Sequence, residues 1–203
     1  MAEKVRVAVL ISGRGSNMQA LAEYRREVDT AYELVLVASN VPEARGRVLA
    51  RRVGIKTWAH SHKGLDRAEF DRLLDEELRR HDVELIALAG YMRLLSPGFI
   101  RPWIGRILNI HPSLLPEYKG LDTHRRVLLA GEEYTGCSVH IVTEELDDGP
   151  VLARSEVKIR GRDTPETLAE RVLEEEHKLY PRALDAFCRT LKSGYEPFTG
   201  PGA

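Results

Sequence analysis

At 203 residues, 43% hydrophobic and 30% charged, with a formal net charge of −1, the chain has the make-up of one soluble globular domain. Near-neutral charge excludes a general attraction to nucleic acid or to an anionic membrane. The longest uncharged apolar run, Leu85–Met92, is too short to cross a bilayer, and the charged Glu3, Lys4 and Arg6 precede only a short apolar run, so neither a membrane span nor a secretory signal is visible. The expectation is a cytoplasmic protein.

In chain order, VRVAVLI (5–11), YELVLVAS (32–39), IKTW (55–58), VELIALAG (83–90) and RILNI (106–110) predict five strands. The first, second and fourth are nearly continuous apolar runs, the pattern of strands covered on both faces. Helical segments alternate with them. The clearest spans 66–80, where Phe70, Leu73, Leu74 and Leu78 recur at i, i+3, i+4 and i+8. The alternation predicts a single α/β domain with a mainly parallel twisted sheet and helices on both faces.

After residue 120 the rhythm changes. TGCSVHIV (135–142) and PVLARSEVKI (150–159), joined by EELDDG, predict neighbouring antiparallel additions to the sheet in the C-terminal third. Thr164 is placed to cap a last helix with Pro165 in its first position, and Pro181 is expected to kink or break that helix. Residues 1–193 are assigned to one domain and 194–203, GYEPFTGPGA, to a loosely held tail.

Three places carry possible chemistry. ISGRGSN (11–17) joins the first strand to the first helix, where Gly13 and Gly15 permit a tight turn and the N–H groups of Gly15, Ser16 and Asn17 can face an anion. Met18 replaces the third glycine of a dinucleotide fingerprint, and no Gly-Lys-Ser/Thr follows, so the choice lies between a small phosphate site and a structural turn. In NIHPSLLP (109–116), Asn109 and His111 share one strand face beside Pro112, which ends the ladder. His111 reads either as a reacting group or as a partly buried histidine, and Asp147 and Asp148 either as its partners or as turn residues. In the last helix, Glu176 falls on the stripe formed by Leu168, Val172, Leu179 and Ala183, so it either pairs inside or sits at the stripe's edge. HSH (60–62) and Cys137 lack further ligands at matching spacing, so no metal is expected; Cys137 and Cys188 read as reduced thiols.

Together, ISGRGSN, LAGYMRLLS (88–96), NIHPSLLP, SVHIV with ELDDGPV (145–151), and EEEHKLYP (174–181) resemble the phosphoribosylglycinamide formyltransferase family, in that family's order and over roughly residues 5–185. The resemblance implies a Rossmann-like formyltransferase fold. The implied activity is transfer of a formyl group from 10-formyltetrahydrofolate, as co-substrate, to the amine of glycinamide ribonucleotide in purine biosynthesis. It makes Asn109, His111 and Asp147 the catalytic set. Gly15, Ser16 and Asn17 fall on the phosphate loop, and Leu173, Glu174, Glu175 and Glu176 on the segment holding the rest of the ribonucleotide. Arg67, Met92, Arg93, Leu94, Leu95, Asn109, Thr143, Glu144, Glu145, Leu146 and Asp147 match the folate site. Arg14 in the phosphate loop and Leu173 in the ribonucleotide segment depart from the family's usual residues.

The partners implied are small molecules, with no nucleic acid, no membrane and a monomer or weak homodimer. Formyltetrahydrofolate deformylase is the alternative. That family resembles a longer chain with an N-terminal regulatory domain and a second His after the catalytic one, where Pro112 stands here. Methionyl-tRNA formyltransferase would add a C-terminal domain and a basic surface. A non-catalytic nucleotide-binding regulator would have no use for Asn109, His111 and Asp147 together.

Overall fold

A computed structural model describes residues 3–194. Seven strands form one sheet: β1 (Val5–Ile11), β2 (Tyr32–Ser39), β3 (Lys56–Ala59), β4 (Leu85–Leu88), β5 (Ile107–His111), β6 (Tyr134–Ile141) and β7 (Val151–Lys158). Six helices accompany them: α1 (Ser16–Glu27), α2 (Arg45–Arg52), α3 (Arg67–Arg80), α4 (Pro97–Ile100), α5 (Thr123–Ala130) and α6 (Pro165–Lys192). The strand order is β3-β2-β1-β4-β5-β6-β7. Neighbours from β3 to β5 run parallel, whereas β5 pairs with β6 and β6 with β7 antiparallel, as the change of rhythm after residue 120 predicts. From residue 195 the expected tail lies outside the described residues.

The alternation of side chains along each strand splits the core in two. Val5, Val7, Val9 and Ile11 of β1 pack with α1, α2, α5 and α6 on one face. Ala8 and Leu10 pack with Phe70, Leu74 and Leu78 of α3 and with Phe99 and Ile100 of α4 on the other. Leu108 and Ile110 of β5 belong to the first face and Ile107 to the second. Asn109 and His111 therefore project toward the α3/α4 side, at the carboxyl end of a central strand where open α/β sheets form their crevices.

Helix starts follow local chemistry. Asp66 caps α3 in a reciprocal box with Glu69, and Thr164 caps α6 in one with Thr167. The break expected at Pro181 does not occur: α6 runs unbroken from Pro165 to Lys192. Pro181 removes a single intrahelical N–H, and it is buried between Tyr180 and the Leu184–Asp185 turn. Packing of α6 on α1, β6 and β7 carries the helix across that gap.

Candidate active site

The loop after β1 is built for close backbone approach. Gly15 lies in the left-handed region at φ 78 and precedes α1 without any side-chain cap, so the first-turn N–H groups are not closed off by a side chain. α1 has no acidic residue in its first turn to compete for those groups. The glycine is also required sterically, because a Cβ there would stand 2.6 Å from the Cα of Gly46 in α2. Gly46 in turn donates its N–H to the Gly13 carbonyl at 3.1 Å.

Beside this loop a cavity of about 390 Å³ is lined by residues 12–17, by Leu173 and Glu176 of α6, and by Gly90, Met92, Ile110, Pro112 and His124. Asn17 joins its two sides: Nδ2 donates to Glu176 Oε2 at 2.7 Å, while the buried Oδ1 has no protein partner. Glu176 is only 7% exposed, and burial pushes its carboxyl up to about 7 against the lowering influence of the Asn17 amide. The inward reading of Glu176 is the one the fold adopts.

His111 stands in the chain between Ile110 and Pro112, which both line the cavity. Its Nε2–H donates to the Tyr118 carbonyl at 3.0 Å, which fixes the tautomer and leaves Nδ1 facing Asp147 Oδ2 at 3.4 Å. Asp147 is itself anchored by the Gly120 N–H, which donates to Oδ2 at 2.9 Å, and sits at φ 50. Tyr118 and Asp122 are also left-handed, at φ 54 and 56. The 118–122 turn thus bends over the pair, its backbone touching both members.

Burial pushes the His111 imidazole below the ordinary histidine range, against the upward pull of the Tyr118 carbonyl and the Asp147 carboxylate. Asp147 favours the charged form, but with His111 5% exposed, lost hydration outweighs one carboxylate at 3.4 Å. For Asp147 the balance runs the other way. Burial pushes its carboxyl up, but the Gly120 N–H and the nearby imidazoles hold it below the usual carboxylate range.

The formyl transferase family model matches residues 5–184, from β1 into α6, so both walls of the cavity and the His111–Asp147 pair lie within the match. The chain belongs to the formyl transferase family. Over 182 residues it is 42% identical to phosphoribosylglycinamide formyltransferase of Escherichia coli (strain K12), covering 89% of this chain and 86% of that one. It is 49% identical over 182 residues to the trifunctional purine biosynthetic protein adenosine-3 of Gallus gallus, but this chain spans only 18% of that protein's length. Among solved structures, glycinamide ribonucleotide transformylase 1 from Symbiobacterium toebii superposes with a TM-score of 0.90 at 39% identity, over 93% of this chain and 90% of that one.

In this formyl transferase the site holds one histidine that the sequence reading passed over. His140 of β6 faces Asn109 across the β5/β6 register. Its Nδ1–H donates to the Ile141 carbonyl at 3.0 Å, and its Nε2 accepts from Asn109 Nδ2 at 3.1 Å, with Asp147 Oδ1 at 3.6 Å. One amide hydrogen of Asn109 is thereby held by His140, and the other has no protein acceptor among the described residues. The alternation in TGCSVHIV puts Ser138 and His140 on one face, but only the register shows what they meet.

The segment 173–176 divides. Leu173 and Glu176 line the cavity, whereas Glu174 is exposed and Glu175 accepts from Ser155 Oγ at 2.9 Å and from Lys178 Nζ at 2.7 Å. The structure does not bring Glu174 or Glu175 to the cavity, because helical geometry turns them to other faces.

Of the folate set, Leu95 is buried while Met92, Leu94 and Leu146 are 70%, 53% and 54% exposed. Exposed Arg67 opens α3, next to the Asp66 carbonyl that accepts from Arg93 Nη2 at 2.9 Å. Thr143 Oγ1 donates to the Glu145 carbonyl at 3.3 Å, and Glu144 pairs with Arg101 at 2.7 Å.

Cys137 and Cys188 are free and buried, and burial pushes the Cys137 thiol up to about 12, so it is no nucleophile. Among the described residues no group of three or more His, Cys, Asp or Glu side chains could hold a metal ion, and no helix is long and apolar enough to cross a membrane.

Proposed function

We propose that this chain transfers the formyl group of 10-formyltetrahydrofolate to the amine of 5-phosphoribosylglycinamide, giving formylglycinamide ribonucleotide and tetrahydrofolate. The observation that carries the reading is the row of neighbouring strand ends β1-β4-β5, with an uncapped helix N-terminus after β1 at one end and Asn109, His111 and Asp147 at the other. The first end suits a phosphate, and the second suits acyl transfer to an amine.

The phosphate lies against the N–H groups of residues 15–17, with Arg14 as an added positive charge. Glu176 accepts from the ribose hydroxyls. The pterin lies along residues 92–95 and the 143–147 loop, with Arg67 and Arg93 toward the acidic tail of the folate.

The amine is already a nucleophile, so the protein need not supply one. Its nitrogen bonds to the formyl carbon as the carbonyl π pair moves onto oxygen. The free amide hydrogen of Asn109 donates to that oxyanion in a site shielded from water. Collapse re-forms the carbonyl and breaks the bond from carbon to the folate N10. One proton leaves the attacking nitrogen and one arrives at N10, so the balance closes. His111 Nδ1 is the relay: neutral at rest because of burial, it takes the proton with Asp147 steadying the imidazolium, then returns it to N10 directly or through a water.

Purified protein supplied with both substrates should accumulate the formylated ribonucleotide and tetrahydrofolate in equal amounts. Formate released at the same rate with the ribonucleotide omitted would overturn the transferase reading in favour of a hydrolase.

A further inference from the structure

Between the sheet and α3 lies a buried carboxylate for which the reaction above has no use. Asp71 is 2% exposed, on the apolar face of α3 beside Phe70 and Leu74. Its Oδ2 accepts the backbone N–H of Ser96 at 2.7 Å, while Oδ1 is buried with no protein partner. Ser96 closes the 90–96 segment and starts α4, where its Oγ accepts the Phe99 N–H at 3.3 Å.

The other end of that segment is tied to the phosphate loop. Ser12 donates its N–H to the Gly90 carbonyl at 3.1 Å, and its Oγ accepts the Met92 N–H at 2.7 Å. Between the two anchors, Arg93 lies 4.9 Å over the Phe70 ring, one residue from Asp71. The Tyr91 hydroxyl and Arg93 Nε are buried and unpartnered like Asp71 Oδ1. Burial and then the Asp71 charge raise the Tyr91 hydroxyl well above its ordinary value, which places the carboxylate within electrical reach of the underside of the segment.

A buried carboxylate is expensive to keep in an apolar helix face, and leucine would fill the same space more cheaply. We infer that Asp71 is a positioning residue for the folate: by holding the Ser96 N–H it sets the height at which residues 92–95 present themselves to the pterin. This rests on the proposed function, since the 92–95 wall has a ligand only if folate is the co-substrate. Asp71 touches neither substrate. Its effect travels through a single backbone bond at the end of a seven-residue span held at its other end by Ser12.

The test compares Asp71→Leu, which keeps bulk and removes the acceptor, with Asp71→Asn, whose amide oxygen can still accept from Ser96. Both are assayed beside the parent protein with the two substrates varied separately. Asp71→Leu should raise KM for 10-formyltetrahydrofolate by about ten-fold while KM for the ribonucleotide and kcat stay within about two-fold. Asp71→Asn should restore most of the folate KM, because the hydrogen bond rather than the charge does the positioning.

Should Asp71→Leu fail to fold, Ser96→Pro deletes the donor instead, at a residue whose φ of −76 already suits proline. Ser96→Ala controls for the lost hydroxyl, and the folate-specific rise should appear in the proline variant beyond that of the alanine. An unchanged folate KM, or equal rises in both KM values, would overturn the inference. A parent protein that transfers no formyl group would instead overturn the proposed function, and this inference with it.

Discussion

Asn17 Nδ2 and Glu176 Oε2 meet at 2.7 Å, from opposite ends of the chain, and join the first turn of α1 to the middle of α6. This bond turns the glycine loop after β1 and a distant helix into two walls of one cavity. It also keeps a carboxylate out of water, with a consequence for stability.

Glu176 titrates at about 7 in the fold against 4.5 ordinarily. The folded state therefore holds the proton more tightly, so the contribution is fully present below about pH 4.5 and is lost as pH rises through about 7. The span is on the order of 3 kcal/mol. Melting of the nucleotide-free protein followed across that window should show this loss, and Glu176→Gln, which stays neutral, should flatten it. A Gln variant with the parent's pH dependence would assign the titration elsewhere.

Gly46 is expected to matter to the glycine loop after β1, proposed above to hold the phosphate, although it lies in α2. A Cβ there would stand 2.5 Å from Ile11 Cδ1 and 2.9 Å from the Gly15 Cα. Gly46→Ala should cost about 1–3 kcal/mol of stability and displace the loop. The KM for the ribonucleotide should rise several-fold, with the folate KM little changed. Calorimetry and steady-state kinetics check the two parts separately.

If His111 relays the proton, His111→Ala should lose roughly 10²–10⁴-fold in kcat while both substrates still bind. Asn109→Ala, which removes the oxyanion donor, should lose roughly 10²–10³-fold. Because the groups act on one transition state, the double variant should be far less impaired than the product of the singles. A parent-like rate in His111→Ala would sink the relay.

The pH profile should separate the contributions to His111. Burial lowers its value and Asp147 raises it, so the base form is lost as pH falls through a point below the ordinary histidine range. Asp147→Asn removes the raising influence. The acid limb of kcat/KM should then move to lower pH, with a reduced plateau because the imidazolium loses its counter-charge. A shift to higher pH would mean that the limb reports another group.

Much of the fold was legible because the signals are local. The apolar runs at 5–11 and 32–39 coincide with β1 and β2, and the capping boxes at Asp66 and Thr164 start α3 and α6 as their side-chain chemistry requires. At Pro181 local chemistry lost. A proline missing one hydrogen bond did not end a helix whose long apolar face is packed against α1, β6 and β7.

The motif glycines, the shared face of Asn109 and His111, and the place of Glu176 on the apolar stripe of its helix, though not its burial, follow from the sequence alone, because backbone freedom and helix or strand periodicity are properties of neighbours in the chain. Tertiary structure alone decided the rest. The antiparallel register set His140 against Asn109, the left-handed turn at Tyr118 and Gly120 brought backbone partners to His111 and Asp147, and helix rotation sent Glu174 and Glu175 away from the cavity. The direction of the His111 shift belongs with these. It depends on how much water the surrounding elements exclude, a quantity that no stretch of sequence carries by itself.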